Sequence, residues 1–148
     1  MSRVQLALNV DDLEASVDFY SKLFNTTPAK RHDGYANFAI DNPPLKLVLV
    51  EGEADGNTIN HLGVEVPDTA SVASASERLS TAGLGTREED QVTCCYAVQD
   101  KVWVNAPGGL DWEIYTVLEN ADSMESDGCC LPSAESTATA AASDSACC

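Results

Sequence analysis

The first 118 residues repeat themselves, and that constrains the fold more than any other feature of the chain. Gln5-Leu-Ala-Leu-Asn-Val-Asp-Asp12 aligns with His61-Leu-Gly-Val-Glu-Val-Pro-Asp68, 56 residues later. Both segments alternate small or apolar with polar side chains and end at an acidic helix start. After Asp12, apolar residues at 13, 17, 20, 23 and 24 mark one helical face; after Asp68, Val72, Ala75 and Leu79 mark a weaker one. Helix stops are expected at Asn25 and Gly83. Strand-like runs follow each helix: 34–40 and 45–51 in the first copy, with a short strand inferred around 27–31; 86–89, 95–98, 102–105 and 111–117 in the second. Asp100-Lys101 is read as the turn between two of these strands. The order is β-α-β-β-β twice, module one over about 3–52 and module two over about 57–118.

Two such α+β modules can curl their sheets around a shared cavity whose wall is built by the first and last strand of each. Ligands are then expected at repeat-equivalent positions. Gln5 and His61 form one equivalent pair. Aligning Pro43-Pro-Leu45 with Gly108-Gly-Leu110 sets Glu113 opposite Val48. Gln5, His61 and Glu113 offer O, N and O donors to one divalent metal and leave coordination positions open. Tyr115, two residues beyond Glu113, shares its strand face; it either orients a ligand or donates a proton, or is a wall aromatic satisfied elsewhere.

The second singular feature is Cys94-Cys95. Adjacent thiolates can grip one soft atom from two sides; alternatively, two small soft residues fill space beside a strand. Neighbouring strand residues point to opposite faces, so both sulfurs converge only on irregular backbone, which is expected there to be mobile. Lys101 is a candidate for closing the cavity loop through an ion pair. His32, in the charged run Lys30-Arg-His-Asp-Gly34, reads as a solvated loop residue rather than a ligand.

Composition bounds the function. With 24 acidic against 8 basic residues and a net charge of −16, phosphate backbones and anionic membranes are repelled, so neither nucleic acid nor membrane is an expected partner. Met-Ser-Arg-Val-Gln runs into patterned sequence without an apolar leader, so a cytoplasmic location is expected. Thiols stay reduced there, and six cysteines in three CC pairs read as ligands or redox groups before disulfides. Residues 119–148 hold six acids, no Lys or Arg and no aromatic residue, and are expected to be a disordered acidic tail. They carry Cys129, Cys130, Cys147 and Cys148, which either scavenge a soft ion and pass it inward or are incidental.

The doubled plan, with candidate ligands on opening and closing strands, resembles the vicinal oxygen chelate superfamily of glyoxalases, bleomycin resistance proteins and extradiol dioxygenases, over roughly residues 3–118. More narrowly, Val4-Gln5-Leu6, Tyr35-Ala-Asn-Phe-Ala-Ile40, Pro44-Leu-Lys-Leu-Val-Leu49, Asn60-His-Leu-Gly-Val-Glu65, Thr93-Cys-Cys-Tyr-Ala-Val-Gln-Asp-Lys-Val-Trp-Val104 and Trp112-Glu-Ile-Tyr-Thr-Val117 resemble the carbon-arsenic lyases, some of which are labelled cadmium-induced proteins. The resemblance implies an enzyme that uses Fe(II) and dioxygen to cleave the carbon–arsenic bond of trivalent organoarsenicals, releasing arsenite. It implies Gln5, His61 and Glu113 as metal ligands and Cys94 with Cys95 as the arsenic-binding thiols. The rival reading is a non-catalytic arsenical or cadmium sequestration protein that uses the CC pairs alone. Either a monomer or a homodimer is compatible, with one complete site per subunit expected because all three ligand positions lie in one chain.

Overall fold

The repeat is realised as two copies of one βαβββ unit. The computed structural model describes residues 1–52 and 58–124. Module one comprises β1 (Arg3–Val10), α1 (Leu13–Phe24), β2 (Lys30–His32), β3 (Tyr35–Ile40) and β4 (Leu45–Glu51). Module two comprises β5 (Ile59–Glu65), α2 (Thr69–Thr81), β6 (Thr86–Cys94), β7 (Ala97–Asn105) and β8 (Asp111–Asn120). All eight strands form one sheet in the order β2-β3-β4-β1-β5-β8-β7-β6. The second half of that order mirrors the first, and the modules join where β1 pairs antiparallel with β5. Within each module the opening and closing strands run parallel, β1 beside β4 and β5 beside β8.

Helix starts follow from the acidic residues ahead of each apolar stripe. Asp12 accepts from the Ala15 N–H at 2.9 Å and Asp68 from the Ser71 N–H at 2.8 Å, each satisfying a donor that the first turn leaves open. Asn25 ends α1 in the left-handed conformation, with φ 49°. Leu13 and Val17, with Tyr20 and Phe24, cover Ala36, Phe38, Ile40, Leu47 and Leu49. Leu23 belonged to the expected stripe but is 58% exposed. Its position falls off the face that touches the sheet. The second helix buries Val72, Ala75, Ser76 and Leu79 against the sheet of its own module. Among the described residues no helix is long and apolar enough to cross a membrane.

Module two departs from the expected strand cuts. β6 runs on past the expected 86–89 to Cys94, residues 97–105 form one continuous strand, β7, through the expected Asp100-Lys101 turn, and the turn lies earlier, at Cys95-Tyr96. Both turn residues have positive φ, 53° and 60°, the conformation of a two-residue hairpin loop. Asp100 and Lys101 sit inside the sheet because each charge is answered. The Asp100 carboxylate accepts from Thr69 Oγ1 at 2.5 Å and from the Gln91 N–H at 2.9 Å, and Lys101 Nζ donates to Glu113 Oε2 at 2.9 Å. Glu119 and Asn120, assigned to the tail by composition, continue β8 opposite Val98 and Ala97. The remaining expected tail, with Cys129, Cys130, Cys147 and Cys148, lies outside the described residues from 125 onward.

The sheet curls far enough for its opposite ends to meet. β2 is one edge strand and β6 the other. Yet the His32 ring stacks on Tyr96, in the turn after β6, with centroids 3.6 Å apart and planes 8° from parallel. Lys30 Nζ donates to the Tyr96 carbonyl at 2.7 Å and to Asn120 Oδ1 at 2.8 Å. His32, expected as a solvated loop residue, is therefore part of a clasp across the mouth of the cup. Near the module junction, Glu65 of β5 pairs with Arg3 of β1 at 3.1 Å and Lys46 of β4 at 3.4 Å.

Two stability predictions follow from this packing. Phe38→Ala, at a fully buried position, should cost about 3–5 kcal/mol in urea unfolding, whereas Phe19→Ala, at a 58% exposed one, should stay within about 0.5 kcal/mol. Burial pushes the Glu65 carboxyl up, but Lys46 and Arg3 outweigh it and hold it below its ordinary 4.5. A carboxyl lowered on folding contributes stability above its unfolded pKa and loses it as pH falls through the folded value. Glu65→Gln should therefore lower the urea midpoint at pH 7 and narrow the gap to wild type as the buffer is taken below pH 4.5.

Candidate metal and thiol site

Gln5 on β1, His61 on β5 and Glu113 on β8 project from three adjacent central strands. The register sets Gln5 beside Gly63 and Gly63 beside Glu113, so one rung carries the two long side chains on either side of a glycine. The equivalent rung in module one pairs Ala7 with Val48, which is the correspondence the repeat predicts. Gly63 relieves crowding: a Cβ there would lie 3.0 Å from Glu113 Cγ and 3.3 Å from the Glu113 carbonyl oxygen, tighter than ordinary contact. Its bare backbone lets the Gln5 and Glu113 side chains close over it.

The three head groups form a tight triangle. Gln5 Nε2 is 2.6 Å from Glu113 Oε1 and 3.1 Å from His61 Nε2, and His61 Nε2 is 3.3 Å from Glu113 Oε1. Adjacent donors around an octahedral cation with bonds of about 2.1 Å stand about 3.0 Å apart, so these edges fit one face of such a shell. Among the described residues no three His, Cys, Asp or Glu groups converge, and the third member here is an amide. To serve as a ligand, Gln5 must present oxygen, which is a half-turn of its amide. Tyr115 tolerates either state. Its hydroxyl lies 2.5 Å from Gln5 Oε1 and 3.1 Å from Glu65 Oε2, so its single proton has a second acceptor when the Gln5 amide turns. His61 Nδ1 lies 2.8 Å from Asn60 Oδ1, which Asn60 Nδ2 in turn ties to Asn9 at 2.8 Å. A proton on Nδ1 leaves Nε2 with its lone pair facing the triangle.

Electrostatics keep the carboxylate charged. Burial pushes Glu113 up, but the Lys101 ammonium and the His61 ring outweigh it and hold the carboxyl well below the usual carboxylate range. Burial likewise works against the Lys101 charge, and Glu113 with the two thiols outweighs it, raising its pKa above the ordinary lysine value. Lys101 thus spends its charge on Glu113 Oε2, inside the cavity wall, and not on a loop across the mouth. Burial first, then Glu113 and Glu65, push the Tyr115 hydroxyl well above its ordinary value, so it acts as a held donor.

Cys94 ends β6 and Cys95 opens the turn. The left-handed backbone at Cys95 breaks the alternation and brings the sulfurs to 3.5 Å, too far for a disulfide and close enough for one atom to bridge. Both line the same cavity as Gln5, His61, Lys101 and Glu113. Sequence reasoning missed Tyr35, Lys46 and Gln99 in this wall, and Met124, which packs against Cys94. Gln99 shares the inward face of β7 with Lys101, a signal hidden by the mistaken turn at Asp100-Lys101.

Residues 3–114 match the model of the glyoxalase/bleomycin resistance protein/dioxygenase superfamily. The chain is 56% identical to a protein of Thermomonospora curvata named trivalent organoarsenical cleaving enzyme, covering 99% of this chain and all of that one. It is 61% identical to the cadmium-induced protein CadI of Mycobacterium tuberculosis, covering 85% of this chain and 83% of the relative. Among solved structures, the Mn(II)-bound glyoxalase of Novosphingobium aromaticivorans matches with a TM-score of 0.59 at 21% identity, over 85% of this chain and 44% of that one. That likeness concerns the fold. By the family match and by these relatives, the chain belongs to the glyoxalase/bleomycin resistance protein/dioxygenase superfamily.

Proposed function

We propose that this chain cleaves the carbon–arsenic bond of trivalent organoarsenicals, such as methylarsenite and reduced aromatic arsenicals, with Fe(II) and dioxygen, and releases arsenite. One observation carries the reading: a sulfur pair 3.5 Å apart lines the same cavity as the Gln5, His61 and Glu113 triangle. The name of the 56% identical relative supports the substrate class. The setting is arsenic detoxification in the cytoplasm, where thiols stay reduced.

Each residue has a part. Cys94 and Cys95 displace the two oxygen ligands of the arsenical and hold arsenic at two points, leaving its carbon substituent in place. Two-point attachment turns a bimolecular encounter into a positioned one, an effect worth up to about 7–11 kcal/mol when the geometry is right. Gln5, His61 and Glu113 would hold Fe(II), which would supply the redox chemistry that makes dioxygen reactive toward the arsenic–carbon bond. Lys101 holds Glu113 Oε2, so Oε1 would be the oxygen left for the metal. Tyr115 and Glu65 orient the Gln5 amide, and Asn60 fixes the His61 tautomer.

The decisive experiment loads purified protein anaerobically with Fe(II), adds methylarsenite, admits oxygen and measures arsenite. Arsenite release is expected; stoichiometric binding without release would move the assignment to sequestration. Glu113→Ala should abolish turnover, and Cys95→Ser should abolish it while iron remains bound, as read by metal analysis. Lys101→Met leaves a buried carboxylate unanswered and should destabilise the metal-free protein by about 3–5 kcal/mol. Added Mn(II) should restore part of that loss in calorimetric melting, because the cation supplies the missing positive charge.

A further inference from the structure

One buried acceptor in the cavity wall is left over by everything above. Gln99 is 4% exposed, and its Oε1 has no hydrogen-bond partner among the described residues. The amide cannot simply be reversed. Its Nε2 donates to the Cys94 carbonyl at 3.1 Å, and turning it round would set two oxygens against each other. An unanswered buried carbonyl is costly, which points to a donor that arrives with a ligand. Its place is also informative. On the inward face of β7, Ala97 pairs with Cys94 and Lys101 reaches Glu113, and Gln99 stands between them. Gln99 thus lines the same cavity as the thiol pair and the metal-binding triangle, on the strand that joins the two.

We infer that Gln99 Oε1 accepts a hydrogen bond from a hydroxyl on arsenic held by Cys94 and Cys95, and so distinguishes inorganic arsenite from an organoarsenical. This rests on reading the thiol pair as the arsenic-binding site. The chemistry of exchange makes the distinction. Each thiol forms an arsenic–sulfur bond while one hydroxide leaves arsenic and departs as water with the thiol proton, with no change of oxidation state. An organoarsenical with two hydroxyls has none left once both thiols are bonded. Arsenite has three, and its doubly bonded adduct keeps one. Gln99 thus answers the group present in the arsenite adduct and absent from the organoarsenical adduct, a preference for product over substrate within one pair of thiols.

The test is a binding measurement on the full-length, metal-free protein under anaerobic conditions, with Cys129, Cys130, Cys147 and Cys148 changed to serine. Affinities for arsenite and for phenylarsenite are measured by titration calorimetry in that background and in the same background carrying Gln99→Met. The readout is the ratio of the two affinities, which cancels any general loosening of the thiol turn when the Nε2 bond to Cys94 is lost. Gln99→Met should shift the ratio about tenfold against arsenite, the size expected for one buried hydrogen bond. An unchanged ratio with both ligands bound overturns the role of Gln99 and leaves the thiol reading standing. If the parent protein binds neither arsenical, the thiol reading falls and this inference with it. Should Gln99→Met fail to fold, Gln99→Asn, which keeps the amide but withdraws its oxygen, is judged by the same ratio.

Discussion

A fully enclosed carboxylate stays ionised only if a positive charge is enclosed with it, and this chain meets that condition with Glu113 and Lys101. Much of the architecture serves the pairing. β7 and β8 must run side by side in a register that brings the two charges together, and β7 must therefore pass unbroken through Asp100-Lys101. The hairpin before it must turn at Cys95-Tyr96, in a backbone conformation that neither residue favours. That turn is what places the sulfurs side by side. The ionic pair and the thiol pair are thus two ends of one strand.

Duplication explains how the centre is built and why it is lopsided. The same rung exists in both modules, but Val48 stands where Glu113 stands, and Ala7 where Gly63 stands. One half contributes Gln5 with Lys30, Tyr35, Asn37, Lys46 and Val48; the other contributes His61, Glu113, Lys101 and both thiols. A symmetric scaffold thereby encloses a single asymmetric centre, with its reactive groups concentrated on the second copy.

Much of this was legible in the residues, and the failures have physical causes. The repeat, the helix caps at Asp12 and Asp68, and the convergence of Gln5, His61 and Glu113 follow from periodicity and equivalence, which are local or long-range copies of local signals. The strand through Asp100 and Lys101 was missed because propensity puts adjacent charges in turns, and only tertiary partners, Thr69, Gln91 and Glu113, reverse that preference. Losing that strand also hid the inward alternation of Ala97, Gln99 and Lys101. His32 was misread for a related reason: its ring partner is Tyr96, and only closure of the sheet brings them together.

The meeting of β2 with the far turn has a mechanical consequence. Across the central strands the cup is held by ladders of backbone hydrogen bonds, whereas its rim is joined by side-chain contacts, among them the His32 and Tyr35 rings against Tyr96 and the two bonds of Lys30. Opening the rim parts side chains and breaks no rung of the sheet. The girth of the cup is therefore set by a seam that can yield while the floor, where the charges sit, stays rigid.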